Sequence, residues 1–298
     1  MSLQHTMKKT VLMEGVGLHT GMPIKLEIRP AQDNFGIQFT RSDLTKAQPI
    51  RASYENVTNT RLATTLGTGK NFVSTVEHLM AALAGFGIDN AHILVGGPEV
   101  PIFDGSSAPF VEQIKRSGVE TQQMNRPTLV ITRRVELKIA EKWAYVEPSN
   151  QFEIHSTIEW DHPMVGFQEL SYIEGKNSFD EIARARTFCF ARDIESMKTL
   201  GLIRGGSLDC AVVLSETGCL NSDGLRYNDE LVRHKVLDAI GDFKLAGLQI
   251  AGSFRLHRSG HDVHYQLLKA ILKDRRNYEI VGADQATELP LMRLAASY

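Results

Sequence analysis

Cysteine is scarce. Cys189, Cys210 and Cys219 are the only three in 298 residues, too few and odd in number for a disulfide framework, and they lack the paired spacing of a cysteine zinc site. Long hydrophobic runs are missing too. The longest near-continuous apolar stretch, Leu79 to Ile88, falls well short of the ~18–20 residues that a membrane-spanning helix needs. No apolar run follows the lysines of the N-terminus (MSLQHTMKKT), so no signal peptide is expected, and the first residues, up to Met7, read as a cloning scar. Neither sign of charge dominates: 33 Lys+Arg against 35 Asp+Glu leave a formal net charge of −2, which offers no broad basic face to nucleic acid. With 42% hydrophobic and 23% charged residues, the composition also argues against disorder. What is left is a soluble chain, expected in the cytoplasm, long enough for one large or two medium domains.

What is present begins with strand patterning. Lys25-Leu26-Glu27-Ile28 and Gly36-Ile37-Gln38-Phe39 alternate with period two, and Ala91 to Val95 reads as a strand. Helices are predicted from about Thr75 to Ala84, stopped by Gly85 and Gly87, and from Pro109 to Ser117. The polar segment from Lys115 to Pro127 is the best linker. Strands then resume at Thr128 to Ile131, Arg134 to Ile139, Ala144 to Val146 and Phe152 to Trp160. Helices follow at Ser178 to Arg184, Asp193 to Leu200 and Asn228 to Ala246. Each half opens with strands and ends with an apolar helix, which predicts an α+β protein of two similar domains, 1–122 and 127–298. The two apolar helices even read alike, EHLMAALAGFGI from Glu77 and HKVLDAIGDFKLAG from His234.

Three motifs fail. Gly15 to Gly21 is spaced GxGxxxG and leads into a strand, so it is not a dinucleotide fingerprint; Gly67 to Asn71 lacks the outer residues of a phosphate loop; no GxSxG elbow exists. More promising is the stripe His234, Asp238, Asp242 at i, i+4, i+8 on one face of an otherwise apolar helix. Its plain reading is a solvated face with His234 and Asp238 as a surface pair. Its chemical reading is a platform for zinc, which then needs a third ligand. Ser74-Thr75-Val76-Glu77-His78 can supply one in His78, with Glu77 beside it as a general base. Glu77 has a plain role as well, because Ser74-x-x-Glu77 is a capping box. Ser259-Gly260-His261 reads as a turn ahead of a helix from about Tyr265, with His257, His261 and His264 either a cluster or a coincidence.

These pieces resemble one family. GVGLHTG (15–21), STVEHL (74–79), GIDNA (87–91), PIFDGSSAPF (101–110), RARTF (184–188), RDIE (192–195), NSDGLRYNDE (221–230), HKVLDAIGD (234–242) and SGH (259–261) follow one another as in the UDP-3-O-acyl-N-acetylglucosamine deacetylases. Those enzymes are the zinc amidases of lipid A synthesis in Gram-negative bacteria, and the likeness runs from Gly15 to about Pro290. The resemblance implies two similar α+β domains, each a sheet layered with helices, with the active site between them. It also implies zinc on His78, His234 and Asp238, although the same donors suit iron(II). Glu77 falls on the general base and His261 on a protonated histidine held by Asp242. Thr187 falls on the oxyanion-assisting threonine. Lys235, Asp193, Trp160, Phe190, Leu62, Lys142 and His19 fall on substrate-contacting positions. A small insert at about 189–218 implies a tunnel for the acyl chain, although Ile194, Met197, Leu200, Leu202 and Ile203 alone read as plain core.

The chain departs from the family pattern at Cys189 for Gly, at Trp160 for Phe, and at Asp262 to Tyr265 for Ala-Leu-Asn-Asn. Those changes bear on acyl length rather than chemistry. The implied partner is a UDP-sugar lipid precursor, with no nucleic acid and no membrane span, and a monomer is expected. Two other readings remain at this point: a zinc amidase for another N-acetyl sugar, and a non-catalytic binder of nucleotide sugars or lipid precursors.

Overall fold

A computed structural model describes residues 2–283; Met1 and the stretch 284–298, into which the second expected domain and the end of the resemblance extend, lie outside the described residues. The architecture is mixed α/β. A five-stranded sheet takes the order Val11–Val16, Pro23–Pro30, Ala91–Val95, Ile37–Arg41, Ile50–Arg51. Its central strand, Ala91–Val95, alternates buried and half-buried positions, the pattern of one face on a core. A seven-stranded sheet is built around Gln249–His257, which runs antiparallel to Lys142–Glu147 and parallel to both Thr128–Ile131 and Phe152–Trp160.

Six helices need names: α1 (Glu77–Gly85), α2 (Ala108–Ser117), α3 (Phe179–Ala183), α4 (Ala191–Thr199), α5 (Glu230–Phe243) and α6 (His261–Lys273). Helix α1 is apolar nearly all round, with Leu79, Met80, Ala81, Ala82 and Leu83 fully buried, so it has neighbours on every side. It packs against α5, which in turn packs on α6 and on the strand Phe152–Trp160. The contact between α1 and α5 is close because Gly241 has no side chain; a Cβ there would press onto the carbonyl oxygen of Glu77. One continuous core runs from Met7 to Tyr278 through these helices, and each fully buried Leu or Ile in it contributes about 1.5–3 kcal/mol.

Four expectations change. The segment taken for a linker is strand Val119–Asn125, paired antiparallel with Leu3–Met7. Met7 is fully buried, so the residues read as a scar are an integral strand. The capping box does not form: the residue preceding α1 is Val76, Ser74 Oγ bonds Thr65 Oγ1 at 2.9 Å, and Ser74 is held in a bridge to Glu99. Helix α6 starts at His261 rather than near Tyr265. Among the described residues no helix is long and apolar enough to cross a membrane.

Candidate metal centre

The polar stripe of α5 is buried rather than solvated. His234 and Asp238 are 1% and 2% exposed, which overturns the reading of a surface pair. His78, from the first turn of α1, meets them across the helix contact. The ligand atoms of His78, His234 and Asp238 lie within 4.8 Å of one another, and the two imidazoles stand edge to face with centroids 5.0 Å apart.

Proton positions follow from the partners. His234 Nδ1 is 2.9 Å from the carbonyl of Ala185, which can only accept, so Nδ1 carries the proton and Nε2 presents its lone pair. That lone pair faces Asp238 Oδ1 at 3.2 Å, and His78 Nε2 stands 3.7 Å from the same oxygen. Oδ1 has no hydrogen-bond partner and no solvent, while Oδ2 accepts from Lys235 Nζ at 2.8 Å. A buried carboxylate oxygen left facing an imidazole lone pair is costly unless a cation lies between them. Ligand atoms around a tetrahedral zinc with bonds of about 2.0–2.2 Å lie roughly 3.4 Å apart, which these spacings match. Burial opposes ionisation of Asp238, but positive charge on His234 and on Lys235 outweighs it and holds the carboxyl well below its usual range; a cation in the place of a proton on His234 Nε2 would supply the same charge.

A second group, Asp242 with His261 and His264, is also compact enough to hold an ion. Its geometry is already that of hydrogen bonds: both imidazoles bring Nδ1 to 2.8 Å from Asp242 Oδ2. Thr64 Oγ1 donates to Oδ1 at 2.7 Å, so this carboxylate is fully engaged. The His261 side chain is 11% exposed, and its partial burial favours the neutral form, yet Asp242 and Glu77 outweigh burial and push its pKa up to about 10. His257 takes no part; it bonds Thr157 Oγ1 and stacks on Trp143.

Glu77 lies between the two groups. Its Oε2 accepts from the backbone N–H of Thr64 at 2.9 Å, and its Oε1 is 4.0 Å from His261 Nε2. Burial raises its pKa above the ordinary carboxylate value, against the pull of His261 and His78. Thr64 thus holds the carboxylates of Glu77 and Asp242 together, a role that no local pattern around Thr64 announces.

Two cavities adjoin here. A polar one of about 290 Å³ is lined by Glu77, His78, His234, Asp238 and His261, with Thr187, Lys235, Lys142 and Leu62 among its other walls. An apolar one of about 310 Å³ is lined by Ile194, Met197 and Ile203, with Val213, Cys189 and His19. Leu18, Leu62, Thr187 and Phe188 belong to both linings, so one opens on the other. No side chain of α4 is fully buried, and Ile194 and Met197 face the apolar cavity instead of a core. Trp160, Phe190 and Asp193 are not in either lining. The rings of Trp160 and Phe190 pack together behind Phe188, and Asp193 is exposed on the first turn of α4.

Comparison with known proteins agrees over nearly the whole chain. Residues 4–273 match the model of the family described as LpxC, UDP-3-O-acyl N-acetylglycosamine deacetylase. A Myxococcus xanthus protein named UDP-3-O-acyl-N-acetylglucosamine deacetylase is 46% identical over 281 residues, 94% of this chain and 90% of its own length. A protein of the same name from Campylobacter hominis is 43% identical, covering 95% of this chain and 96% of its own.

Proposed function

The chain belongs to the LpxC family of UDP-3-O-acyl-N-acetylglucosamine deacetylases, and from that premise we propose that it is a zinc amidase that hydrolyses the acetamide of UDP-3-O-acyl-N-acetylglucosamine. Water adds to the amide carbon, the C–N bond breaks, and acetate and the free 2-amine leave. The observation that carries this reading is Asp238 Oδ1, buried without a hydrogen-bond partner opposite the imidazoles of His78 and His234. Zinc held by those three residues would supply a Lewis acid for the amide oxygen and would acidify a water; iron(II) suits the same donors.

The chain's own groups do the rest. Glu77 takes the proton of the attacking water, and its raised pKa suits a base working near neutrality. Thr64 fixes Oε2, which leaves Oε1 for that exchange. His261, kept protonated by Asp242, faces the negative charge that develops on the amide oxygen, with the Thr187 hydroxyl as a second donor. The departing amine takes its proton from Glu77 or His261.

Lys235, Lys142, Leu62 and His19 line the cavities and contact the substrate, as does Asp193 from the first turn of α4, while Trp160 and Phe190 serve its nucleotide end. The apolar cavity receives the 3-O-acyl chain. A division into two domains, with the reaction centre at their junction, is supported by ligands drawn from both halves, His78 on α1 and His234 and Asp238 on α5. The test is acetate release from the sugar nucleotide with and without its 3-O-acyl chain. A marked preference for the acylated compound is expected, and equal rates would contradict the acyl assignment.

A further inference from the structure

The glycine-rich stretch 15–21, which fits no nucleotide motif, wraps a buried carboxylate. Glu99 is 1% exposed. Its Oε1 accepts from His19 N–H at 2.9 Å and from Thr75 Oγ1 at 2.9 Å. Its Oε2 accepts from Thr20 N–H and Thr20 Oγ1, both at 3.0 Å. Thr20 Oγ1 itself accepts from Met22 N–H at 3.3 Å, which leaves its proton for Glu99. Every partner donates, and concave nests of this kind hold anions. Gly17 belongs to the same fit, because a Cβ there would collide with the Glu99 carboxylate.

The two ends of this clamp matter. On one side the loop carries Leu18, shared by both cavities, and His19, which lines the apolar one. The loop is also tied to the far wall, since Leu18 and His19 carbonyls accept from Gly205 and Arg204 N–H next to the cavity residues Ile203 and Gly206. On the other side is Thr75, which lines the polar cavity two residues before Glu77 and sits in the left-handed region at φ 57°. A β-branched residue is strained there, and the bond to Glu99 holds it.

We propose that Glu99 is a positioning residue that locks the 17–20 loop to the foot of α1, and thereby fixes the register of the apolar cavity on the reaction centre. This rests on the deacetylase reading for its substrate, but not for its geometry. Glu99→Gln keeps the shape and turns one oxygen into a donor facing donors. With metal content unchanged, KM for a long-chain 3-O-acyl substrate should rise about tenfold, while KM for a short-chain one and kcat for both stay within about threefold. Amide hydrogen exchange at His19 and Thr20 should accelerate in the same variant. Thr20→Val should shift KM in the same direction by less, and Thr20→Ser should restore it, which keeps the test open if Glu99→Gln fails to fold.

Equal losses on long and short chains, or unchanged exchange at His19 and Thr20, would overturn the clamp. A wild-type chain that releases no acetate from any acylated substrate would instead sink the deacetylase reading, with the exchange measurement still deciding the role of Glu99.

Discussion

His261 places Nδ1 2.8 Å from Oδ2 of Asp242, while its Nε2 points toward Glu77 Oε1 at 4.0 Å. One imidazole thus links a carboxylate that is held ionised to one whose proton burial favours. Burial pushes the pKa of Glu77 up, and Asp242 with Glu77 pushes that of His261 up to about 10. A base must be deprotonated and an acid protonated, so kcat/KM should fall on the acid side at a pH above the ordinary carboxylate value of 4.5. On the basic side, loss of the His261 proton should lower the rate only well above neutrality. A pH–rate profile of the zinc-loaded chain checks both limbs.

Removing the charge that holds His261 should move one limb alone. In Asp242→Asn the imidazole keeps the burial that lowers its pKa and loses the carboxylate that chiefly raises it. The basic limb should therefore shift to lower pH, and turnover at alkaline pH should drop about tenfold or more. A basic limb that does not move would remove His261 as its source.

Glu77→Ala should separate metal binding from chemistry. Glu77 is not among the clustered donors His78, His234 and Asp238, so zinc should remain at one ion per chain. Turnover should fall about 10²–10⁴-fold, the usual worth of a general base. Metal analysis beside a rate assay decides, and full activity in this variant would end the assignment. His78→Ala should lose metal and activity together.

A buried ion pair supports the centre from behind. Arg186, 2% exposed, bonds fully buried Glu230 through Nε at 2.9 Å and Nη2 at 3.2 Å, next to the Ala185 carbonyl that orients His234. Glu230→Ala leaves the guanidinium only Asp223, at 3.0 Å, and the Gly224 carbonyl, and should cost about 1.5–3 kcal/mol, read as a lower urea midpoint.

Much of the fold is local and was readable. The period-two segments Lys25–Ile28 and Ile37–Phe39 lie in the strands Pro23–Pro30 and Ile37–Arg41, strands also form at Ala91–Val95 and Phe152–Trp160, and the apolar helices α1 and α5 fall where expected. The edge ribbon Val119–Asn125 was not readable, because its exposed, polar sequence VETQQMN carries no apolar alternation. The local rule also failed at Ser74, where the chain bridges Glu99 and so cannot turn to cap α1. At the site, the spacing of His234, Asp238 and Asp242 showed a shared helix face, but not which side of α5 was buried. His78 joins that face only through the helix contact at Gly241; its local sequence made it a candidate third ligand, and only the family resemblance singled it out. Thr64 and Glu99 act through backbone N–H groups and hydroxyls brought from distant segments, which leave no trace in a local pattern.

The most direct measurement is acetate release from UDP-3-O-acyl-N-acetylglucosamine by the purified chain, before chelation, after it, and after stoichiometric zinc is returned. Loss on chelation and recovery with zinc is the result expected of His78, His234 and Asp238 holding a catalytic ion. No release in any zinc state from a correctly folded chain would contradict the account at its centre.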